Sequence, residues 1–267
     1  MPLLHIIIVA ALQGLTEFLP VSSSGHLVLL PILTGLPDQG LAIDVAVHVG
    51  TLAAVVLYFW SDVRLALLGL PRLLRGRLDT AGARLAFLLA IATVPVVIAG
   101  LASELAGLQE AMRSIRVIAW TTLGFGLVLW WADRTGPEEK TGEGWTLRDA
   151  IVMGLAQCLA LVPGTSRSGI TITAGRWLGY RRSDAARLSM LMSIPTILAS
   201  GVLLGAKVAT EADAALARDG AIAAVFAFGF ALLALGLMMR LLRSVSFAPY
   251  VVYRVFLGLA LLWVAYG

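Results

Sequence analysis

Six apolar runs, each roughly 20 residues long, recur along the 267-residue chain. A run of this length crosses the ~30 Å hydrocarbon core of a bilayer as one α-helix. Because lipid cannot hydrogen-bond exposed backbone groups, such spans are helical, and these runs are too long for barrel strands. The runs occupy residues 41–60, 83–102, 115–132, 185–206, 219–240 and 248–266. The predicted fold class is an all-α polytopic membrane protein with six transmembrane helices.

The composition supports a lipid environment and excludes several functions. Hydrophobic residues make up 59% of the chain and charged residues 13%, against about 25% charged in a soluble domain. The net charge of +4 does not indicate nucleic-acid binding, because the basic residues are scattered at the ends of the apolar runs. The single cysteine, Cys158, excludes an internal disulfide and a Cys/His zinc site.

Two further apolar stretches are each interrupted by a polar turn. Residues 3–35 are broken by residues 20–26 (PVSSSGH), and residues 149–178 are broken by residues 163–169 (PGTSRSG). Each arm is too short to span a bilayer but long enough for a re-entrant helix-loop-helix hairpin. Irregular backbone at membrane depth is tolerated only where protein or water surrounds it, so both turns are predicted to line a cavity.

The two hairpins resemble each other and predict an internal repeat. The residues GLTE before the first turn are echoed by GLAQ before the second, and three spans follow each hairpin. Because three is odd, the second repeat starts from the opposite side of the membrane, and the repeats are predicted to be inverted, with their hairpin tips sharing one site near the midplane. The single membrane domain 1–267 is thus divided into repeat one (1–132), a loop (133–148) and repeat two (149–267).

The placement of lysine and arginine predicts the orientation. The richer set of loops carries Arg64, Arg72, Arg75, Arg77, Arg84, Arg134, Lys140, Arg148, Arg181, Arg182, Arg187, Arg240 and Arg243. The alternate loops carry only Arg113, Arg116, Lys207 and Arg218. The richer set, including loop 133–148, is predicted to be cytoplasmic. Both termini and the opening of the first hairpin then lie on the periplasmic side.

Glu17 is an ionisable residue in an otherwise apolar arm, where an unpaired carboxylate is costly and a functional role is the default interpretation. The alternative is a helix-end glutamate that reaches the interface. Gln13 lies one helical turn earlier on the same face. Its carboxamide is expected to orient Glu17 or to complete the oxygen shell of a divalent cation, and the alternative is a hydrogen bond between helices.

The first turn combines hydroxyl groups, a flexible glycine and an imidazole, in the order Ser22, Ser23, Ser24, Gly25 and His26. A serine attacks phosphorus when a neighbouring base takes its proton or a cation lowers the charge barrier. His26 and Glu17 are both candidates for that base. The alternative for at least one serine is that it satisfies backbone groups freed by the proline at position 20.

The second turn carries Thr165, Ser166, Arg167, Ser168 and Gly169. A buried arginine keeps its proton and therefore requires an anion, and its planar fork suits two phosphate oxygens. The serines and the amides of a glycine-containing turn that opens a helix add further donors. A structural ion pair between Arg167 and the carboxylate of the first hairpin is the competing explanation.

Asp44 and His48 lie four residues apart at the start of the first full span and share a face. Together with Glu17 they are the candidate metal ligands. An aspartate in the first turn of a helix is also commonly a capping residue, which is the alternative for Asp44.

Residues 13–26 and 163–169 closely resemble the two signature motifs of the bacitracin-resistance type undecaprenyl-diphosphate phosphatases. The resemblance extends over essentially the whole chain, including the order of the motifs, the number of spans and the region 44–50. It implies an inverted-repeat fold in the bacterial inner membrane. It also implies removal of the terminal phosphate of a polyprenyl diphosphate lipid at the periplasmic side, with support from Mg²⁺ or Ca²⁺.

By motif position, the resemblance implies that Glu17 is the essential carboxylate, Ser23 the nucleophile, His26 an acid/base group and Arg167 the diphosphate clamp. The substrate-binding residues are expected to be Gln13, Ser22, Ser24, Gly25, Thr165, Ser166, Ser168 and Gly169. The family motif has Glu or Gln at position 13. With Gln here, the metal shell is expected to be completed by substrate phosphates.

Two points stay open from the sequence. A transporter or flippase of the lipid phosphate is the rival function, because inverted repeats with hairpins at the midplane are also transporter architecture. The partners expected are the lipid substrate and the bilayer, and a second copy of the chain in a homodimer is the further partner that the sequence leaves open.

Overall fold

The computed structural model describes residues 1–108, 112–208 and 214–267, with residues 206–208 described by their backbone only. The side chain of Lys207, used above for orientation, lies outside this description. No β-strand occurs over the described residues. The helices are α1 (Leu3–Thr16), α2 (Ser23–Thr34), α3 (Leu41–Tyr58), α4 (Trp60–Leu73), α5 (Ala81–Leu105), α6 (Ile115–Thr135), α7 (Leu147–Gln157), α8 (Arg167–Trp177), α9 (Arg182–Val208), α10 (Ala214–Leu241) and α11 (Ala248–Tyr266).

Six of these helices are long and apolar enough to cross a membrane, namely α3, α5, α6, α9, α10 and α11. Each coincides with one of the six predicted spans, so the all-α polytopic class is confirmed. The helices extend beyond several of the predicted ends because polar residues continue a helix past the hydrocarbon core. The two interrupted stretches are short helix pairs, α1 with α2 and α7 with α8, each joined by an irregular loop.

Helix α4 lies in the segment that the sequence indicated as a loop between the first two spans. Its arginines interrupt the apolar pattern, which is why the hydropathy does not show it. The Asp62 carboxylate of α4 forms an ion pair with the Arg187 guanidinium of α9. Gly69 and Gly82 allow α4 and α5 to touch, since a Cβ on Gly69 would lie 2.1 Å from the backbone of α5. This helix therefore packs as an integral part of the bundle.

The short helices α1 and α7 pack against long helices in the same manner. A Cβ added to Gly14 of α1 would lie 2.7 Å from the carbonyl oxygen of Ala227 in α10. A Cβ added to Gly154 of α7 would lie 2.5 Å from the carbonyl oxygen of Ala92 in α5. Small residues permit such close helix approach in membrane proteins. The corresponding glycines of the two GL motifs thus position the two loops within the bundle.

Candidate active site

Each of the two loops ends in a serine with a positive φ. Ser22 precedes α2 with φ 76°, and Ser166 precedes α8 with φ 72°. They are the only non-glycine residues with positive φ in the described part of the chain. In each, the serine Oγ accepts a hydrogen bond from the backbone N–H three residues later, that of Gly25 or Gly169. This shared cap fixes the direction of the following residue, which is the first of its helix.

Those following residues, Ser23 and Arg167, both reach the carboxylate of Glu17. The Ser23 hydroxyl donates to Glu17 Oε2 at 2.6 Å. Arg167 Nη2 donates to Glu17 Oε1 at 2.6 Å. In each loop, the residue that follows the capping serine therefore binds one oxygen of the Glu17 carboxylate. This occurs although 150 residues separate Glu17 from Arg167.

The Glu17 carboxylate is buried and is held by several donors. Its side chain is 8% exposed and that of Arg167 is 14% exposed. Gln13 Nε2, one turn earlier on α1, donates to Glu17 Oε2 at 2.9 Å. Arg167 Nη1 is buried and has no partner among the described residues. Because an unpaired buried donor is costly, this nitrogen is available to an anion.

A cavity of about 180 Å³ opens beside this cluster. Its walls are formed by Glu17, Ser22, Ser23, Ser24, His48, Ala160, Ser166, Arg167, Thr196, Ile197 and Ser200. A larger and mainly apolar cavity of about 400 Å³ lies between α3 and α9 and shares His48, Ile197 and Ser200 with the first. The arrangement joins a polar pocket to an apolar groove.

The two imidazoles differ in their access to the cavity. His26 Nδ1 donates to the Ser22 carbonyl at 2.7 Å, and its Nε2 lies 2.6 Å from the Tyr253 hydroxyl, so both nitrogens are engaged and the ring does not line the pocket. His48 Nδ1 donates to the Asp44 carbonyl at 2.7 Å, which leaves Nε2 facing the pocket, 3.9 Å from Glu17 Oε2. The imidazole inside the pocket is therefore His48.

The amino-acid sequence is similar to a family of known proteins. The model of the bacitracin resistance protein BacA family matches residues 6–260. The chain belongs to the BacA family. A Roseobacter denitrificans protein named undecaprenyl-diphosphatase is 71% identical over 267 residues, covering 100% of both chains. A protein of the same name from Ruegeria pomeroyi is 70% identical with the same coverage. Undecaprenyl-diphosphatase 1 of Rhodospirillum rubrum is 50% identical over 100% of this chain and 96% of that protein.

The remaining residues of the two BacA-type motifs have different surroundings. Ser24 and Ser166 line the pocket with Ser22, and Ser166 Oγ is 3.2 Å from Ser168 Oγ. The backbone N–H groups of Gly25 and Gly169 donate to the hydroxyls of Ser22 and Ser166 in the caps described above. Ser168 Oγ donates to the Leu19 carbonyl at 2.9 Å, which links the second loop directly to the first. The Thr165 hydroxyl is buried behind the pocket without a partner in the described chain.

The predicted metal ligands do not gather around one point. Over the described residues, no three His, Cys, Asp or Glu side chains are grouped so that they could hold a metal ion. Asp44 accepts from Gln39 Nε2 at 2.8 Å and faces the adjoining cavities rather than the Glu17 pocket. The pocket itself offers one carboxylate, one imidazole and hydroxyl groups. Such a donor set fits Mg²⁺ only when phosphate oxygens and water complete the shell.

Three polar residues at or behind the pocket were not identified by the sequence analysis. Thr196 and Ser200 line it from α9, and their spacing of four places them on one face of an apolar span. Arg254 lies behind both loops, in the middle of the last span. An arginine inside an apolar span is itself a signal of function, and this rule applied to the sixth span would have found it.

Position 164 requires glycine both for its backbone conformation and because neighbouring atoms leave no room for a side chain. Its φ is +88°, and an added Cβ would lie 2.2 Å from Thr121 Oγ1 and 2.7 Å from the Ile118 carbonyl oxygen. Strained left-handed backbone costs about 1–3 kcal/mol, and the overlap adds to it. We expect Gly164→Ala to lower phosphate release at least about tenfold and to lower the thermal midpoint. Gly144→Ala, in open space, is the control, and equal activity of the two variants would contradict this role of Gly164.

Proposed function

We propose that this protein is an integral membrane phosphatase that hydrolyses undecaprenyl diphosphate to undecaprenyl phosphate and inorganic phosphate. The observation that carries the proposal is the buried cluster of Ser23, Glu17 and Arg167, with a free guanidinium nitrogen directed at no other group of the described chain. The names of the similar proteins support the same activity and give no support to the transporter alternative. The product would return the lipid carrier to peptidoglycan synthesis.

The pocket supports an acid/base mechanism through serine. In the proposed first step Ser23 Oγ attacks the terminal phosphorus, its proton passes to Glu17, and the bond from that phosphorus to the bridging oxygen breaks. Undecaprenyl phosphate leaves. Water then attacks the phosphorus of the phosphoserine, and the bond from that phosphorus to Ser23 Oγ breaks. Ser23 Oγ takes back the proton held by Glu17, while the oxygen and both protons of water leave in inorganic phosphate. Direct attack by water activated by Glu17 is the alternative, and it forms no phosphoserine.

Arg167 supports the proposed reaction by stabilising charge. Its Nη1 is free to bind phosphate while Nη2 holds Glu17. Charge-assisted bonds in a pocket with little water stabilise the developing charge on the phosphoryl oxygens. We propose that the guanidinium binds arriving phosphate through Nη1 and keeps the Glu17 carboxylate in place beside the Ser23 hydroxyl through Nη2.

A divalent cation, Mg²⁺ or Ca²⁺, belongs to the proposal as a partner of the diphosphate. Glu17 is the carboxylate of the pocket that would hold it, with phosphate oxygens and water as the other ligands. When bound, the cation would neutralise phosphate charge. His48 Nε2 faces the same space and is the group we propose to orient water there.

The prenyl tail and the membrane orientation complete the proposal. We propose that the tail lies in the apolar groove between α3 and α9, which shares its inner end with the polar pocket. The two helix pairs would be re-entrant hairpins of inverted repeats in the inner membrane, opening the pocket to the periplasm. The shared serine caps and the matching glycine contacts of α1 and α7 support the repeat.

The deciding experiment measures inorganic phosphate released from undecaprenyl diphosphate by the purified protein in detergent. Detergent provides no second compartment, so a protein that only transports the lipid releases no phosphate. We expect turnover in the usual enzymatic range of about 1–1,000 per second, a loss of at least about tenfold with a chelator, and recovery on adding Mg²⁺ or Ca²⁺. Absence of phosphate release with cation present would refute the proposed function, and unchanged activity with chelator would remove the cation from it.

A further inference from the structure

Arg254 is a buried cation without a buried anion. It lies in α11, in the last apolar span, and its exposed fraction is 0%. Within the described part of the chain no carboxylate lies in ion-pair range of its guanidinium. Charged groups inside a membrane protein are normally paired with one another or with backbone carbonyls. The described partners of the Arg254 guanidinium are all backbone carbonyls.

The guanidinium of Arg254 donates only to backbone carbonyl oxygens, and these come from three parts of the fold. In the first loop, Nη1 donates to the Pro20 carbonyl at 3.2 Å. In the second loop, Nη2 donates to the carbonyls of Gly164 at 2.9 Å and Thr165 at 3.0 Å. On α6, the carbonyls of residues 122 and 121 accept from Nε at 3.0 Å and from Nη2 at 3.3 Å.

The loop carbonyls bonded by Arg254 lie close in sequence to the two serines with positive φ. Thr165 directly precedes Ser166, and Pro20 lies two residues before Ser22, so Arg254 holds both loops just before the two residues with positive φ. Those serines in turn direct Ser23 and Arg167 towards Glu17. Arg254 therefore bridges the two loops from behind, in addition to the direct bond from Ser168 to the first loop.

We propose that Arg254 is the positioning residue of the site, which joins the two loops so that Ser23, Glu17 and Arg167 meet one diphosphate. The proposal rests on the proposed phosphatase function. Arg254 does not line the pocket and so would act through the loops rather than on the substrate. Only arginine offers five donors in a fixed plane, and lysine offers three from a single point. The absence of a carboxylate partner also leaves a positive charge behind a site for an anion.

The test compares Arg254→Met and Arg254→Lys with Arg176→Met, each purified in detergent. Arg176 is the control because it is also buried and also donates to backbone carbonyls away from the pocket, those of residues 133, 136, 137 and 180. It differs from Arg254 in its ion pairs with Asp133 and Glu138, so its loss is a stringent test of general destabilisation. We expect Arg254→Met to lower kcat per folded molecule about 100-fold, the cost of a misplacement of about 1 Å, with KM changed less than about threefold. Arg254→Lys is expected to lie between Met and wild type.

Hydrogen exchange supplies a readout that does not depend on activity. We expect amide exchange in residues 17–25 and 161–169 to quicken in Arg254→Met and to stay unchanged in Arg176→Met. If wild type releases no phosphate, the proposed function fails while the exchange data still test the joining of the loops. Unchanged exchange in both loops, kcat of Arg254→Met within threefold of wild type, or a loss of activity that only tracks the loss of folded protein would each overturn the proposal.

Discussion

Replacing Arg167 by alanine is expected to lower kcat/KM for phosphate release from undecaprenyl diphosphate by about 1,000-fold or more, as found when an arginine that stabilises phosphoryl transfer is removed. The change removes the only guanidinium that the described residues place in the pocket wall and leaves Glu17 buried without its arginine partner. Arg167→Lys is expected to recover only part of the activity, because an ammonium group cannot bind Glu17 and phosphate with separate nitrogens of one plane. Steady-state kinetics on purified protein measure both effects.

The control for this prediction is Arg181→Ala. Arg181 is exposed, and its side chain makes no described contact, so activity should stay within about twofold of wild type. Size-exclusion elution and the thermal midpoint separate a loss of chemistry from a loss of folded protein. A folded Arg167→Ala protein with activity within tenfold of wild type would show that the guanidinium is structural and pairs Glu17 alone.

The number and type of the spans were predictable because a bilayer imposes them. Runs of about 20 apolar residues have one stable solution in lipid, and all six became helices. Helix α4 was not predictable in this way. Its arginines lower the local hydropathy, while its packing depends on Gly69 and Gly82 and on the ion pair between Asp62 and Arg187, which join segments distant in sequence.

The sequence predicted that the two motifs share one site and so bring Glu17 near Arg167. It did not predict which residues of the two hairpins are equivalent. The GLTE and GLAQ arms are 140 residues apart, whereas Ser22 and Ser166 are 144 apart. The structure accounts for the difference by the four-residue 3₁₀ turn Cys158–Leu161, present only in the second loop. The turns SSSG (22–25) and SRSG (166–169) align at this spacing of 144, but the sequence does not show that the residues following the two caps bind the same carboxylate.

The choice between the two imidazoles also depends on packing. His26 lies in the motif beside the serines, and the sequence favoured it as an acid/base group for that reason. Whether a side chain on the first turns of α2 points at Glu17 or at a neighbouring helix depends on the cap at Ser22 and on α11, which supplies Tyr253. His48 comes from α3, and only the packing of α3 against the loops brings it to the pocket.

Glu17→Gln and Ser23→Ala are each expected to lower kcat by about 100- to 10,000-fold, the range for loss of a positioned base, and the double variant is expected to be no slower than the slower single variant. Glutamine keeps the shape of glutamate and still accepts the Ser23 hydrogen bond, but it cannot take the proton. If serine and carboxylate act as one unit, removing either disables the same step, so the effects are not additive. Quenched-flow sampling with substrate labelled in the terminal phosphate measures the intermediate as well as the rate.

The same experiment separates the two forms of the mechanism. Labelled phosphoserine at position 23 in the wild type, lost in Ser23→Ala, would establish attack by serine. If Ser23→Ala instead retained activity within tenfold of wild type while Glu17→Gln did not, the 2.6 Å contact between the hydroxyl and the carboxylate would serve to orient Glu17, and water would be the nucleophile. Ser24→Ala is the matched control, because Ser24 lines the same pocket but lies 3.4 Å from the Ser22 hydroxyl and does not contact Glu17. Its loss should not exceed about tenfold, since neither base nor nucleophile is removed.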